Sequence, residues 1–148
     1  MVHALEQIHR LLKPTGVLID IHPVAASLPI ETHQGGKIDV AGQLSVGQWC
    51  IDFQEADKAL SAIVQRGLFV VERHDVFDSL TYYASATELL TSVKESIDKY
   101  TRNAQSAQEP VPHVEALAAR AEELMRTAGS EAELIERDRT HISRLRPT

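Results

Sequence analysis

Leu11-Leu12-Lys13-Pro14-Thr15-Gly16-Val17-Leu18-Ile19-Asp20-Ile21-His22-Pro23 is the stretch on which the reading of this chain turns. Apolar residues at Val2, Leu5, Ile8 and Leu12 recur at helical spacing just before it. Pro14 stops that helix, because its ring clashes with the preceding turn and it has no N–H to donate. Lys13-Pro14-Thr15-Gly16 then reads as a tight turn, with proline second and glycine fourth. Val17 to His22 is short, apolar and β-branched, and reads as a strand ending at Pro23. Its apolar density predicts that both faces are covered, as in a parallel sheet. No Ser, Thr, Asp or Asn precedes Val2 to cap the first helix, an absence that costs about 1 kcal/mol.

Downstream, residues 23–36 read as a loop carrying Pro23, Pro29 and Gly35-Gly36. Lys37–Val40 and Gln43–Val46 alternate with period two around Ala41-Gly42, a hairpin signal. A helix over 52–66 follows, with Phe53, Ala56, Leu60, Ile63 and Val64 as its buried stripe and Gly67 ending it. Leu68 to Phe77 reads as a second strand. Ser85-Ala86-Thr87-Glu88 is a capping box for a helix that buries Leu89, Leu90, Val93 and Ile97. Beyond Pro110 and Pro112, Val114, Leu117, Ala121, Leu124, Met125 and Ala128 form another amphipathic stripe, closed by Gly129. The tail over 131–146 has two readings. Ser130 with Glu133 suits a helix cap, whereas β-branched Ile135, Thr140 and Ile142, with no helical stripe, favour a strand.

Length and composition set the class. A chain of 148 residues is one ordinary domain, expected here to span 1–148 without an internal boundary or repeat. A hydrophobic content of 43% lies in the globular range and excludes disorder of the whole chain. The single cysteine, Cys50, excludes an internal disulfide and a Cys-rich zinc site, and it fits a reducing, cytoplasmic compartment. A net charge of −6 argues against a general nucleic-acid partner. No apolar run reaches the roughly 20 residues of a membrane helix, and the N-terminus lacks signal-peptide features.

The segment from Ala4 to Ile21 resembles a particular part of the Rossmann-like S-adenosylmethionine-dependent methyltransferases. In that family a helix ends in a Leu-Lys-Pro-Gly-Gly turn and the fifth sheet strand follows directly. Here Thr15 stands at the first of those glycines. The helix at 52–66 and the strand at 68–77 resemble the elements up to the sixth strand. The ending Ile135-Glu136-Arg137-Asp138-Arg139-Thr140-His141-Ile142-Ser143-Arg144-Leu145 is similar to the tails of a bacterial subgroup. The resemblance implies that this tail is a seventh strand, antiparallel between the fifth and sixth.

The fold it implies is α/β: a partial Rossmann-like methyltransferase sheet of the fifth, sixth and seventh strands, with an inserted β-hairpin and flanking helices. It covers the second half of the family's domain only. The family holds its cofactor with a Gly-x-Gly loop, and no Gly-x-Gly occurs in this chain. S-adenosylmethionine is therefore the cofactor of a full-length relative, and no cofactor is expected here.

Candidate site residues follow from position and chemistry. His22 ends the first strand at its carboxyl edge, where open α/β sheets hold ligands. Asp20, two residues earlier, lies on the same side and is fit to orient the imidazole. Trp49 and Tyr83 join His22 as expected substrate-facing residues, since aromatic side chains often line apolar pockets. The plain alternatives are a histidine packed on Pro23 and aromatics closing the core edge. Cys50 reads as a small buried hydrophobe. The seven histidines show no His-x-x-x-His spacing, and no metal site is expected. No catalytic residue is assigned. The acidic residues Glu115, Glu122, Glu123, Glu131, Glu133 and Glu136 read as a solvated face.

Two functions stay open. One is a methyltransferase-like C-terminal segment without its cofactor-binding half, inactive alone, which in a full-length chain serves methyl transfer to a small molecule. The other is a stand-alone oligomerisation or adaptor module without catalytic activity. The expected partner is a second copy, in a homodimer joined along the edge of strand 17–22. A fourth strand covers that edge in the family, and here only Asp20 interrupts an apolar edge.

Overall fold

The computed structural model describes residues 1–24, 26–45, 48–103 and 113–148, with the side chains at 48–50 and 100–103 outside the description. The chain is mixed α/β, as expected. In order it forms α1 (Val2–Leu11), β1 (Leu18–Pro23), β2 (Leu28–Gln34), β3 (Lys37–Leu44), α2 (Gln48–Gln65), β4 (Phe69–Tyr83), α3 (Ala86–Asn103), α4 (Val114–Ala128) and β5 (Glu133–Pro147). It divides into two compact units.

The first unit comprises Met1–Ala25, Trp49–Ser79 and Arg139–Thr148. α1 ends as its sequence dictates. The Gly16 N–H donates to the Lys13 carbonyl at 2.8 Å, closing the turn around Pro14. A Cβ on Gly16 would fall 2.5 Å from Leu12 Cδ2 and 3.0 Å from the Lys13 carbonyl oxygen, so a larger residue here requires the Leu12 side chain to shift. β1 then pairs antiparallel with β5, from Leu18 opposite Leu145 to Pro23 opposite Thr140, and β4 also pairs with β5.

The parallel, doubly covered strand expected at 17–22 is therefore corrected. Leu18 packs with Leu5, Ala59, Ile63, Phe69 and Leu145, whereas Ile19 and Ile21 are 49% and 59% exposed. Apolar density cannot tell a strand covered on both faces from one covered on a single face. α2 ends in a Schellman motif, as Gly67 predicts. The Leu68 N–H donates to the Ile63 carbonyl and the Gly67 N–H to that of Val64, with Gly67 at φ 68°.

The second unit comprises Ala26–Gln48 and Leu80–Asp138. Here the expected hairpin is displaced. β2 and β3 form the hairpin, and they turn at Gly35-Gly36, not at Ala41-Gly42. Both glycines have positive φ, 56° and 83°, as a two-residue hairpin turn requires. Ala41 is instead the extra residue of a β-bulge, because Ile30 faces Gly42 while Glu31 faces Val40.

β2 pairs antiparallel with β5 as well, from Ile30 opposite Glu136 to His33 opposite Glu133. The tail is thus a strand. α3 and α4 pack Leu89, Val93, Val114, Leu117 and Ala121 against Ile30, Leu44 and Leu134. The capping box at Ser85 forms: Ser85 Oγ accepts from the Glu88 N–H at 3.1 Å, and Glu88 accepts from the Ala84 N–H at 2.6 Å. Among the described residues, no helix is long and apolar enough to cross a membrane.

Candidate functional site

Strand alternation and register assemble a cluster of histidines and carboxylates within the first unit. Asp20 and His22 share one side of β1, and the pairing sets Asp20 opposite Ser143 and His22 opposite His141. The two imidazoles stack, with centroids 5.2 Å apart and planes 12° from parallel. α2 brings in Asp57, and β4 brings in His74, whose ring lies 5.1 Å from that of His141. Asp20 Oδ2 lies 2.7 Å from His22 Nδ1, and Asp57 Oδ1 lies 2.9 Å from His22 Nε2. His74 Nδ1 meets Ser143 Oγ at 3.0 Å.

Ionised carboxylates only accept hydrogen bonds, so both contacts to His22 are satisfied when each ring nitrogen carries a proton. Burial opposes that charge. The hydrogen bonds and charges of Asp57 and Asp20 outweigh it, and the His22 pKa is raised above the ordinary histidine value. The cluster lines a cleft of about 370 Å³ whose apolar wall includes Leu60, Val64, Val71 and Leu145. His22 is buried, while the Asp57 side chain is 45% exposed at the mouth. A protonated imidazole between two carboxylates, facing a half-apolar cleft, is equipped to move a proton or grip a polar ligand. One ligand atom each from His22, Asp57 and His141 also lie within 4.8 Å of one another, close enough to bear on cation binding.

Of the residues picked out from sequence, His22 lies in this cleft and Asp20 orients it. Trp49 falls in the first turn of α2, and its side chain lies outside the described residues, as does that of Cys50. Tyr83 belongs to the second unit. It is 9% exposed in that unit's core, and its hydroxyl donates to Glu136 Oε2 at 3.0 Å. Burial and the neighbouring Glu136 charge push the Tyr83 pKa up to about 12. Burial likewise raises Glu136, with the Tyr83 hydrogen bond opposing.

Asp57, His74, His141 and Ser143 were not legible as site residues. They come from three separate elements, and only the β1–β5 register and the packing of α2 bring them to His22.

Among the described residues, the glycines form no loop of the kind that holds S-adenosylmethionine. Among the described residues, those with positive φ below 150° are Gly35, Gly36, Gly67 and Gly129; the first two lie in the hairpin turn and the others follow α2 and α4. None lies in a strand-to-helix loop able to bring backbone N–H groups against a nucleoside. Comparison with protein-family models, curated proteins and solved structures finds no match.

Proposed function

We propose that this chain is the C-terminal, substrate-side segment of a Rossmann-like S-adenosylmethionine-dependent methyltransferase. By itself it transfers no methyl group. A chain that also carries the cofactor-binding half methylates a small molecule in the cytoplasm, with His22 facing the acceptor. One observation carries the reading: α1, the Leu12-Lys13-Pro14 turn and β1 are followed by α2, β4 and a terminal strand that pairs with both β1 and β4. That is the position the resemblance implies for a seventh strand. The antiparallel β2–β3 hairpin and its pairing with β5 depart from a mostly parallel sheet. With no Gly-x-Gly in its sequence, this chain needs the other half to hold the cofactor and catalyse transfer.

Calorimetric titration with S-adenosylmethionine tests the reading. No heat of binding is expected for this chain at millimolar ligand, and micromolar binding is expected for a chain extended upstream through a Gly-x-Gly loop. Micromolar binding by the present chain would overturn it, as would an extended chain that fails to bind.

A second reading, a self-associating module, is favoured by the free edge of β1. Among the described residues β1 pairs on one edge only, and Val17, Ile19 and Ile21 are 41%, 49% and 59% exposed. Such an edge recruits another strand, most simply in a two-fold dimer. Light scattering that gives a dimer mass at tens of micromolar, reverting to monomer in Ile19→Lys, supports it. A monomer of the unaltered chain contradicts it.

A further inference from the structure

We propose that His22, Asp57 and His141 hold one first-row divalent cation, zinc(II) by the chemistry of the donors, with a remaining coordination position open to the cleft. The inference stands apart from the methyltransferase reading, because it uses only the side chains of the first unit. Two imidazoles and one carboxylate suit zinc or its neighbours, whereas calcium and magnesium favour sites built mainly from oxygen. Three protein ligands are the number found in zinc sites that keep a position for water or substrate.

The supporting contacts are those of a built site. Asp20 holds His22 by Nδ1 at 2.7 Å, which leaves Nε2 as the coordinating atom aimed at Asp57, 2.9 Å away. A carboxylate behind a ligating imidazole fixes its ring and raises its basicity. Ser143 holds His74 by Nδ1 in the same way, beside His141. Asp20 and Asp57 bring two negative charges to one imidazole, an excess that a dication neutralises.

Coordination at His22 Nε2 takes the place of its 2.9 Å contact with Asp57 Oδ1. Zinc–ligand bonds of about 2.0–2.2 Å in a tetrahedron set ligand atoms about 3.3–3.5 Å apart. The candidate atoms lie within 4.8 Å, so a swing of the His141 ring of roughly an ångström, out of its stack on His22, closes the set. Leu60, Val64 and Leu145 form the apolar wall that shields the bonds from water, and the half-exposed Asp57 marks the entry.

The test uses the untagged full chain, stripped with a chelator. It is titrated with zinc chloride by calorimetry and with cobalt(II) by visible absorption. Expected are one equivalent of zinc at micromolar affinity or better and intense cobalt d–d bands of low-coordinate geometry. Asp57→Asn and His141→Ala should each weaken binding about tenfold or more, and Asp20→Asn should weaken it about 10–100-fold. His33→Ala, altered in the second unit, should leave binding unchanged. Asp57→Asn is nearly isosteric at a half-exposed helix position, and a far-ultraviolet circular dichroism spectrum in chelator that matches the parent chain shows that the variant folds. No stoichiometric binding at a hundred micromolar zinc would overturn the proposal. So would stoichiometric binding that Asp57→Asn leaves unchanged.

Discussion

Replacing Arg137 by methionine should cost the second unit about 2–3 kcal/mol at neutral pH, and the cost should fade in acid. Glu31 on β2 is 7% exposed, and its carboxylate receives Arg137 Nη2 at 2.8 Å and Nε at 3.2 Å. His33 Nε2 lies 2.7 Å from the same carboxylate. The register explains the pairing: Glu31 faces Ile135, so Arg137 is its diagonal neighbour on one face.

Stranding a buried charge costs about 3–5 kcal/mol. The Arg137 side chain is 26% exposed and His33 remains, so the cost falls to about 2–3 kcal/mol. In thermal terms the loss is about 4–12 °C, at roughly 2–4 °C per kcal/mol for a chain of this size. The Arg137 guanidinium holds the Glu31 pKa below its ordinary value of 4.5; burial opposes and His33 assists. A folded-state value below the unfolded one gives stability that is complete above pH 4.5 and lost as pH falls through the folded value.

Urea denaturation followed by far-ultraviolet circular dichroism, at pH 7 and again well below pH 4.5, reads both effects. Adding Glu31→Gln to the variant should recover most of the loss. A difference below about 0.5 kcal/mol at pH 7, the size of a solvated surface pair, would show that Glu31 is not a buried charge held by Arg137. So would a difference that stays constant into acid.

Ile63→Ala, at a site 0% exposed in the core of the first unit, should cost about 2–5 kcal/mol in the same urea assay. A loss under about 1 kcal/mol would mean that core is loosely packed. Gly36→Ala should cost about 1–2 kcal/mol through its positive φ of 83° alone, since no atom lies within 4 Å of the added Cβ, and Gly36→Asn should recover part of it. Tyr83→Phe removes the donor that lowers the Glu136 pKa against burial, so the carboxyl midpoint followed by carbon-13 NMR should move upward. An unchanged or lower midpoint would show that the hydrogen bond carries no weight.

Local punctuation made much of the fold legible. Pro14 and Gly16 fix the α1–β1 turn, Gly67 and Gly129 end α2 and α4, and the Ser85–Glu88 box starts α3. Each acts within a few residues. Pro29 concealed β2, because a proline inside an alternating run normally argues against a strand. Without β2 as partner, the alternation in β3 reads as a hairpin of its own, whereas Gly35-Gly36 makes the turn. Gly42 lies at the bulge, where a Cβ would come 2.8 Å from Leu117 Cδ1.

At the site, Asp20 and His22 were visible because two residues on one strand share a face. His141 becomes visible only once β1 and β5 pair antiparallel, and Asp57 sits beside the buried Ala56 of α2 with no pattern of its own. Tyr83 carries a ring suited to lining a pocket. Its place at the end of β4, under α3, made it a core residue with a hydrogen bond to Glu136.

The intact mass of the protein isolated from its native source, read together with the reading frame upstream of Met1, tests the methyltransferase reading most directly. The expected product is a longer polypeptide in which a Gly-x-Gly strand, loop and helix precede α1. A native protein that begins at Met1, with an in-frame stop codon just upstream, would contradict it.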